Sequence, residues 1–492
     1  MGEIIVNKLR ENRFAFIVSI LHWLLTFYLE RLVLVVAPTE HLFTYCACKA
    51  ILLVLLFGFW RMIWRGLFSP DRRTNREFPQ LIVALAFLAV LAVWFYLRHP
   101  LTLPMDEQNL FDRATRLDDF AYWFNYPSGY YWIMGIMLIP HYLGPVWIKM
   151  GLQALLAGYC YARQRERSGT WRALPIVGLF LLPFVLTQGI SAHRLPTYGV
   201  LYLFLVAKLV YDRLDNCRLD TATLVMETAM LAVLAIWRSE GIYFSVLGLI
   251  LIAVAYRVPI RKASLKKAAV YALIFVMAVL PQLSAYFNAA APLSLRAKPL
   301  YGYVLCNMFR NGLTEEMIAE EREDIELYLP LSAVHSFNEM YGDGNYEAAY
   351  IMNNVLPDVE YADQERFCAA VKQVCIKNLP IYFKSQFNAW IYTNSQYPVG
   401  SDVGLVRSIV NLSSKVWIPT LLVFVLCIAA LVKRWWLTFW LTGGAIGNWL
   451  LVVTLMPAAY AKYFYVDYLL GYFLLFMGLC QLLSNAKKEF YA

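Results

Sequence analysis

The chain has 492 residues, 60% of them hydrophobic and 16% charged, with a mean hydropathy of +0.52. Soluble domains carry roughly 25% charged residues, so this composition excludes an ordinary water-soluble enzyme or binding module. The formal charge of +9 does not signal a nucleic-acid partner, because Lys and Arg sit in short clusters between apolar runs, the distribution that the positive-inside rule produces.

Apolar runs of about 17 to 24 residues recur along the chain, each long enough to cross a bilayer. They predict an all-α polytopic membrane protein of about twelve spans, over 14–37, 43–60, 80–97, 146–162, 173–190, 197–212, 222–237, 241–256, 268–285, 416–432, 436–456 and 464–483. The first run contains Glu30-Arg31 and lacks a small-residue cleavage site, so it reads as a retained span. Glu30-Arg31 itself reads as an intramembrane ion pair, and Glu227 as a partner for a neighbouring helix. With these spans, every basic cluster falls on one face, which the positive-inside rule makes cytoplasmic. The clusters include Arg61, Arg65 and Arg76; Arg163, Arg165 and Arg167; Arg257 and Arg261; and Lys487-Lys488. Both termini of this multi-pass cell-membrane chain are then cytoplasmic. The loop carrying Asp106-Glu107 is outside, as are the turns at 191–194, 237–241 and 457–467.

Four regions follow from this pass. Residues 1–79 form a two-span addition with a basic cytoplasmic loop. Residues 80–287 form a transmembrane core whose outer loop, 98–145, opens on Asp106-Glu107. Residues 288–415 form a mostly helical extracytoplasmic segment, and 416–492 a three-span bundle. Residues 129–143 are apolar but short and interrupted by Pro140-His141. Counting them as a span would put the Arg163 cluster outside, so they predict an amphipathic helix at the outer interface. Nine cysteines show no metal-ligand spacing. Cys306, Cys368 and Cys375 share the long outer segment, where spacing does not decide whether a disulfide forms. No P-loop or Gly-rich nucleotide motif is present.

Asp106-Glu107 is the first candidate for chemistry, since a carboxylate at a membrane surface can deprotonate an acceptor hydroxyl or hold a metal. His193-Arg194, Arg238 and Lys462 are isolated cations on the face the positive-inside rule depletes. Fixed cations there suit a lipid phosphate, whose charge grows as it departs. Asn125, Tyr126 and Ser128 follow the aromatic run Tyr122-Trp123-Phe124 and suit a polar substrate.

The order of these features resembles the GT-C-fold integral membrane glycosyltransferases, the group that includes protein O-mannosyltransferases and aminoarabinose transferases, in their bacterial large-loop form. Asp106-Glu107 matches that group's acidic pair, and Tyr126-Pro127-Ser128-Gly129-Tyr130-Tyr131 stands where its His-Pro-Pro-like motif and Leu-Tyr-Tyr would be. Arg238-Ser239-Glu240-Gly241 looks like its Arg-x-Glu-Gly turn, and Lys462-Tyr463-Phe464-Tyr465 like its Arg-Tyr-Phe motif. The chain departs from the pattern at Tyr126 for His, Ser128 for Pro, Lys462 for Arg, and Thr197-Tyr198 where an Asp is usual.

The resemblance implies inverting transfer of a sugar from a polyprenyl-phosphate-linked donor to a glycan, lipid or protein acceptor outside the cytoplasm. Asp106 would be the general base, and Glu107 would orient the acceptor or help hold a divalent metal; no other cofactor is implied. Arg194, Arg238, Lys462 and His193 would hold the donor phosphate. Asn125, Tyr126, Tyr130, Glu240 and Tyr463 would contact substrate. A glycan polymerase or ligase using a diphosphate-linked donor is a second reading. A lipid or glycolipid transporter is a third, disfavoured because the two halves are unlike and the notable charges gather at one surface.

Overall fold

A computed structural model describes residues 2–68, 76–98, 101, 103–118, 125–238, 241, 243–257, 265–288, 294–341, 361–394, 408, 411–455 and 460–484. All regular secondary structure among them is helical. Twelve helices take the chain to the start of the outer segment: α1 (Gly2–Leu29), α2 (Leu42–Phe68), α3 (Glu77–Leu97), α4 (Met105–Arg116), α5 (Tyr126–Leu138) and α6 (Gly144–Ser168); then α7 (Leu174–Gly178), α8 (Pro183–Ile190), α9 (Arg194–Leu214), α10 (Thr221–Trp237), α11 (Phe244–Ala255) and α12 (Leu265–Asn288).

By length and composition the chain is an all-α, multi-pass membrane protein. Among the described residues, six helices are long and apolar enough to cross a bilayer: Arg13–Leu32, Pro38–Phe68, Glu77–Leu97, Arg194–Leu214, Trp436–Thr454 and Ala461–Ser484. The pair Trp171–Gly178 and Pro183–Ile190, bent by 62°, makes a seventh when counted as one broken span. Its break falls where Leu182 precedes Pro183 and takes up extended backbone, as a residue before proline must. Shorter apolar helices cover Thr221–Trp237, Val246–Ala255, Lys267–Leu280 and Trp417–Lys433. Large apolar side chains such as Ile17, Leu21, Val54 and Leu85 point outward from α1, α2 and α3, a surface that only lipid or a partner covers.

The chain divides into two units, the first comprising Met1–Leu283, Leu426–Leu441 and Leu469–Ala492, the second Ser284–Val425 and Thr442–Tyr468. The division begins close to the expected boundary at 288, but each of the three C-terminal helices contributes to both units. In the first unit, α6 packs against α3, α5, α7, α8 and α9, and α9 packs against α6, α8, α10 and α11. Helix α6 lies directly on α3: a Cβ at Gly158 would meet the Gln80 carbonyl oxygen at 2.2 Å, so only glycine permits this approach.

Two polar layers lie at opposite ends of this helix group. Near the C-terminal ends of α6 and α9, buried Arg163 pairs with Asp212 at 2.7 Å and with Asp215 at 3.1 Å, and Arg167 pairs with Asp215 at 2.7 Å. Lys208 bridges Asp212 and Glu227, and Tyr256 donates to the same two carboxylates. Glu227 thus has its expected neighbouring-helix partners, on α9 and just past α11. At the other end, Lys149 of α6 donates to Ser191, just ahead of α9. Lys149 and Arg163 are 14 residues apart on one helix, which separates the layers by about 20 Å.

Two expectations need correction. Glu30 does not pair with Arg31 but with Lys49 of α2, at 2.6 Å. Helix α5 is not amphipathic at a surface: Ser128, Gly129, Tyr131, Trp132, Ile133, Gly135, Ile136 and Met137 are all buried. It packs on α1, α2, α4, α6 and α10, because a helix apolar all round gains most by full burial.

The second unit has its own core, in which Ile318, Ile325, Tyr328 and Leu329 of the acidic stretch meet Phe367, Val371 and Val374 of helix Tyr361–Lys377. Lys377 contacts Glu320 and Glu321 at 2.5 Å, and Arg366 contacts Asp324 at 2.5 Å, tying the two segments together. Cys306, Cys368 and Cys375 are free thiols, which leaves no disulfide among them.

Candidate functional site

The acid pair opens a helix rather than a loop. Pro104, in extended backbone, precedes α4, and Asp106 and Glu107 occupy its first turn, where the helix macrodipole favours negative charge. Glu107, Leu110, Ala114 and Leu117 recur at helical spacing and are all buried, whereas Gln108, Asn109 and Asp112 are exposed. That stripe decides which acid faces inward: Glu107 is 3% exposed, and Asp106 is half-buried at its edge.

The α4 C-terminus closes tightly. Leu117 adopts φ 56, with its amide bonded to the Ala114 carbonyl and the Asp118 amide bonded to the Arg113 carbonyl. This is a Schellman-type ending with leucine where glycine is usual. Complete burial of Leu117 offsets the left-handed backbone cost.

Glu107 is held from two directions. His193 Nδ1 lies 3.1 Å from its Oε2, and the Arg194 amide lies 3.4 Å from its Oε1. Because a carboxylate only accepts, the imidazole nitrogen facing it is the donor. His193 caps α9 in extended backbone, so the Glu107 carboxylate sits at the N-terminus of α9 as an anion does in a helix-end site. Lys149 adds a buried amine to the same layer: it is 1% exposed, donates to the Ser191 carbonyl, and lies 3.4 Å from Ser191 Oγ. Where α8 approaches α6, Gly189 leaves room for the Gln153 side chain, whose Oε1 lies 2.5 Å from where a Cβ would stand.

Sequence reading missed Lys149. The available signal was a single lysine inside an otherwise apolar predicted span, a position where an ionisable group requires a partner.

Helix α5 borders the pair. Asn125 accepts from the Ser128 and Gly129 amides and from Ser128 Oγ at 2.9 Å, which starts the helix. The Tyr126 amide donates to Gln282 Oε1 at 2.8 Å, and the Tyr126 and Tyr130 rings lie 5.8 Å apart. Ser128 is fully buried, which removes it from contact with a diffusing substrate. Tyr131 packs against Trp237 at 5.7 Å between ring centroids, bringing the Arg238 turn beside α5. That turn closes through the Gly241 amide on the Arg238 carbonyl at 3.0 Å. A Cβ at Gly241 would meet the Leu234 carbonyl at 2.4 Å.

The structure therefore gathers Asp106, Glu107, His193 and Arg194, with Asn125, Tyr126, Tyr130 and Arg238 on the adjoining α5 and α10 elements. Lys462 and Tyr463 belong to the second unit, in the turn Ala461–Phe464, where Lys462 Nζ lies 4.6 Å from the Tyr460 ring centroid. Glu240 and the run 122–124 lie outside the described residues. Thr197 and Tyr198, where an acidic residue was expected from the resemblance, are buried in the first turn of α9. Among the described residues, no three His, Cys, Asp or Glu side chains converge as a metal set.

The chemistry open to this arrangement is asymmetric. Both Glu107 oxygens face protein donors, which fixes that carboxylate as an anchor. Asp106, one residue away and partly exposed, is the carboxylate an incoming hydroxyl can reach. Comparison with protein-family models, with curated proteins and with solved structures finds no match for this chain.

Proposed function

We propose that the protein is a GT-C-type membrane glycosyltransferase that moves a sugar from a polyprenyl-phosphate donor to an extracytoplasmic acceptor with inversion. The observation that carries the proposal is the division of labour in the acid pair: reachable Asp106 beside buried Glu107, which is tied to the head of α9 by His193 and Arg194. Asp106 takes the proton of the acceptor hydroxyl as that oxygen attacks the anomeric carbon. Glu107 holds the first turn of α4 against α9, so that Asp106 keeps its position.

Arg194 and Arg238 are the first-unit cations assigned to the departing phosphate, and Lys462 enters from its motif alone. The Glu107 layer and the Arg163–Asp212 network lie toward opposite ends of α6, about 20 Å apart along its axis, which supports assigning them to opposite sides of the bilayer. In this reading the Lys and Arg residues clustered around Arg163 mark the cytoplasmic face under the positive-inside rule, and the acid pair lies on the outer one. A polyprenyl tail would then remain in lipid while its sugar-phosphate head reaches Asp106, and no nucleotide pocket is required.

The test is Asp106→Asn in nanodiscs supplied with a polyprenyl-phosphate sugar. Loss of a general base should lower turnover by about 10²- to 10⁴-fold, with protein level and membrane insertion unchanged. Undiminished transfer by this variant would remove Asp106 from the base role.

A further inference from the structure

A second site lies in the amino-terminal hairpin, on residues other than those just assigned. Between α1 and α2 the chain makes a turn at Glu30–Leu32 and another at Pro38–His41. At this connection is a cavity of about 350 Å³, whose lining combines apolar Phe27, Leu34, Val36 and Pro38 with polar Glu30, Arg31 and Tyr45. This volume is within the range of small-molecule pockets, roughly 300–1,000 Å³.

The charges in its wall are unequally matched. Glu30 receives Lys49 at 2.6 Å and the Tyr45 hydroxyl at 2.5 Å. Lys49 is further occupied by Thr26 Oγ1 at 2.7 Å and lies 3.9 Å from the Phe27 ring centroid. The neutralised Glu30 leaves exposed Arg31 as the net charge of the lining. The helices on either side are both long and apolar enough to span a membrane, so the cavity sits at the depth of lipid headgroups. Leu32, Val35, Leu42 and Phe43, in the same connection and at the start of α2, have 60% or more of their surface exposed, an apolar surrounding that favours an occupant with an apolar tail over a water-soluble anion.

We infer that this cavity binds a phosphate-bearing lipid, the phosphate forked by Arg31 and the first carbons of the tail lying against Phe27, Leu34 and Pro38. A guanidinium suits this head because it presents paired donors to a phosphate. The Val35 amide donates to the Thr115 carbonyl of α4 at 2.9 Å, so the bound lipid braces the connection that contacts the acid-pair helix. The inference does not depend on glycosyl transfer.

The test uses the full chain in phosphatidylcholine nanodiscs doped with a photoreactive phosphatidic acid, with cross-links mapped by peptide. Labelling is expected within residues 27–45. It should fall roughly tenfold in Arg31→Gln, the worth of one charge-assisted hydrogen bond, and persist in Arg31→Lys. Leu34→Trp, which fills the cavity and keeps the charge, should also abolish it. Equal labelling of Arg31→Gln and wild type, or equal labelling by an uncharged photoreactive diacylglycerol, would overturn the site. Displacement of the label by millimolar inorganic phosphate would overturn the lipid assignment in favour of a soluble phosphate.

Discussion

Replacing Glu107 by Gln probes the joint on which the candidate site hangs. The side chain keeps its shape and its capacity to accept, but its charge is lost. A charge-assisted bond becomes a neutral one, which costs about 1 kcal/mol. The lost carboxylate also lay at the N-termini of α4 and α9, where each dipole contributes about 0.3–1 kcal/mol. With Glu107 3% exposed, solvent screens little of this, and the total is about 2 kcal/mol. The assay is a double-mutant cycle with His193→Ala by equilibrium unfolding in mixed micelles. The 3.1 Å contact predicts a coupling of about 1–2 kcal/mol between the two sites. Asp106→Asn should stay within about 0.5 kcal/mol of wild type, as a substitution at a partly exposed position does. Additivity of Glu107→Gln and His193→Ala within about 0.3 kcal/mol would refute the contact. A larger destabilisation from Asp106→Asn than from Glu107→Gln would refute the orientation of α4.

The opposite polar layer yields a graded comparison. Asp212→Asn strips the charge that faces Arg163 and Lys208 in a buried setting and should cost about 3–5 kcal/mol. Asp215→Asn, whose side chain is 25% exposed, should cost about 1 kcal/mol, with thermal unfolding in detergent ranking the two; the reverse ranking would mean Asp212 is not the hub. In the second unit, burial pushes the Cys306 and Cys375 thiols up to about 12 and the Cys368 thiol up to about 11. At pH 7.5 these groups are almost entirely protonated, so maleimide should label them only after denaturation or far above neutral pH. Rapid native labelling, or a disulfide found by non-reducing peptide mapping, would contradict the packing described for them.

The acid pair shows where sequence reading was sufficient and where it was not. Its position after an apolar helix made it the first candidate, and the neighbouring cations drew attention to His193 and Arg194, both of which do meet Glu107. The helical form of 105–116 was legible too, in the spacing of Glu107, Leu110, Ala114 and Leu117, but charge density made the stretch read as a loop. Its end was hidden because Leu117, rather than glycine, takes the left-handed position. Glu30 was misassigned for a related reason: adjacency in sequence suggested Arg31, whereas successive residues on a helix do not face each other. The partner, Lys49, lies 19 positions away.

The sequence by itself determined that this is a helical membrane protein, with basic clusters separated from an acid pair and a long polar segment between its later apolar runs. Those properties follow from composition and one-dimensional spacing, because lipid demands apolar length and internally satisfied backbone from each spanning segment. Only the tertiary structure decided that Glu107 is the anchored acid and Asp106 the reachable one, that Lys149 joins their layer, and that α5 is buried. Each depends on which helix faces pack together, and a side chain some 40 or 90 positions away in the chain leaves no local mark on its partner.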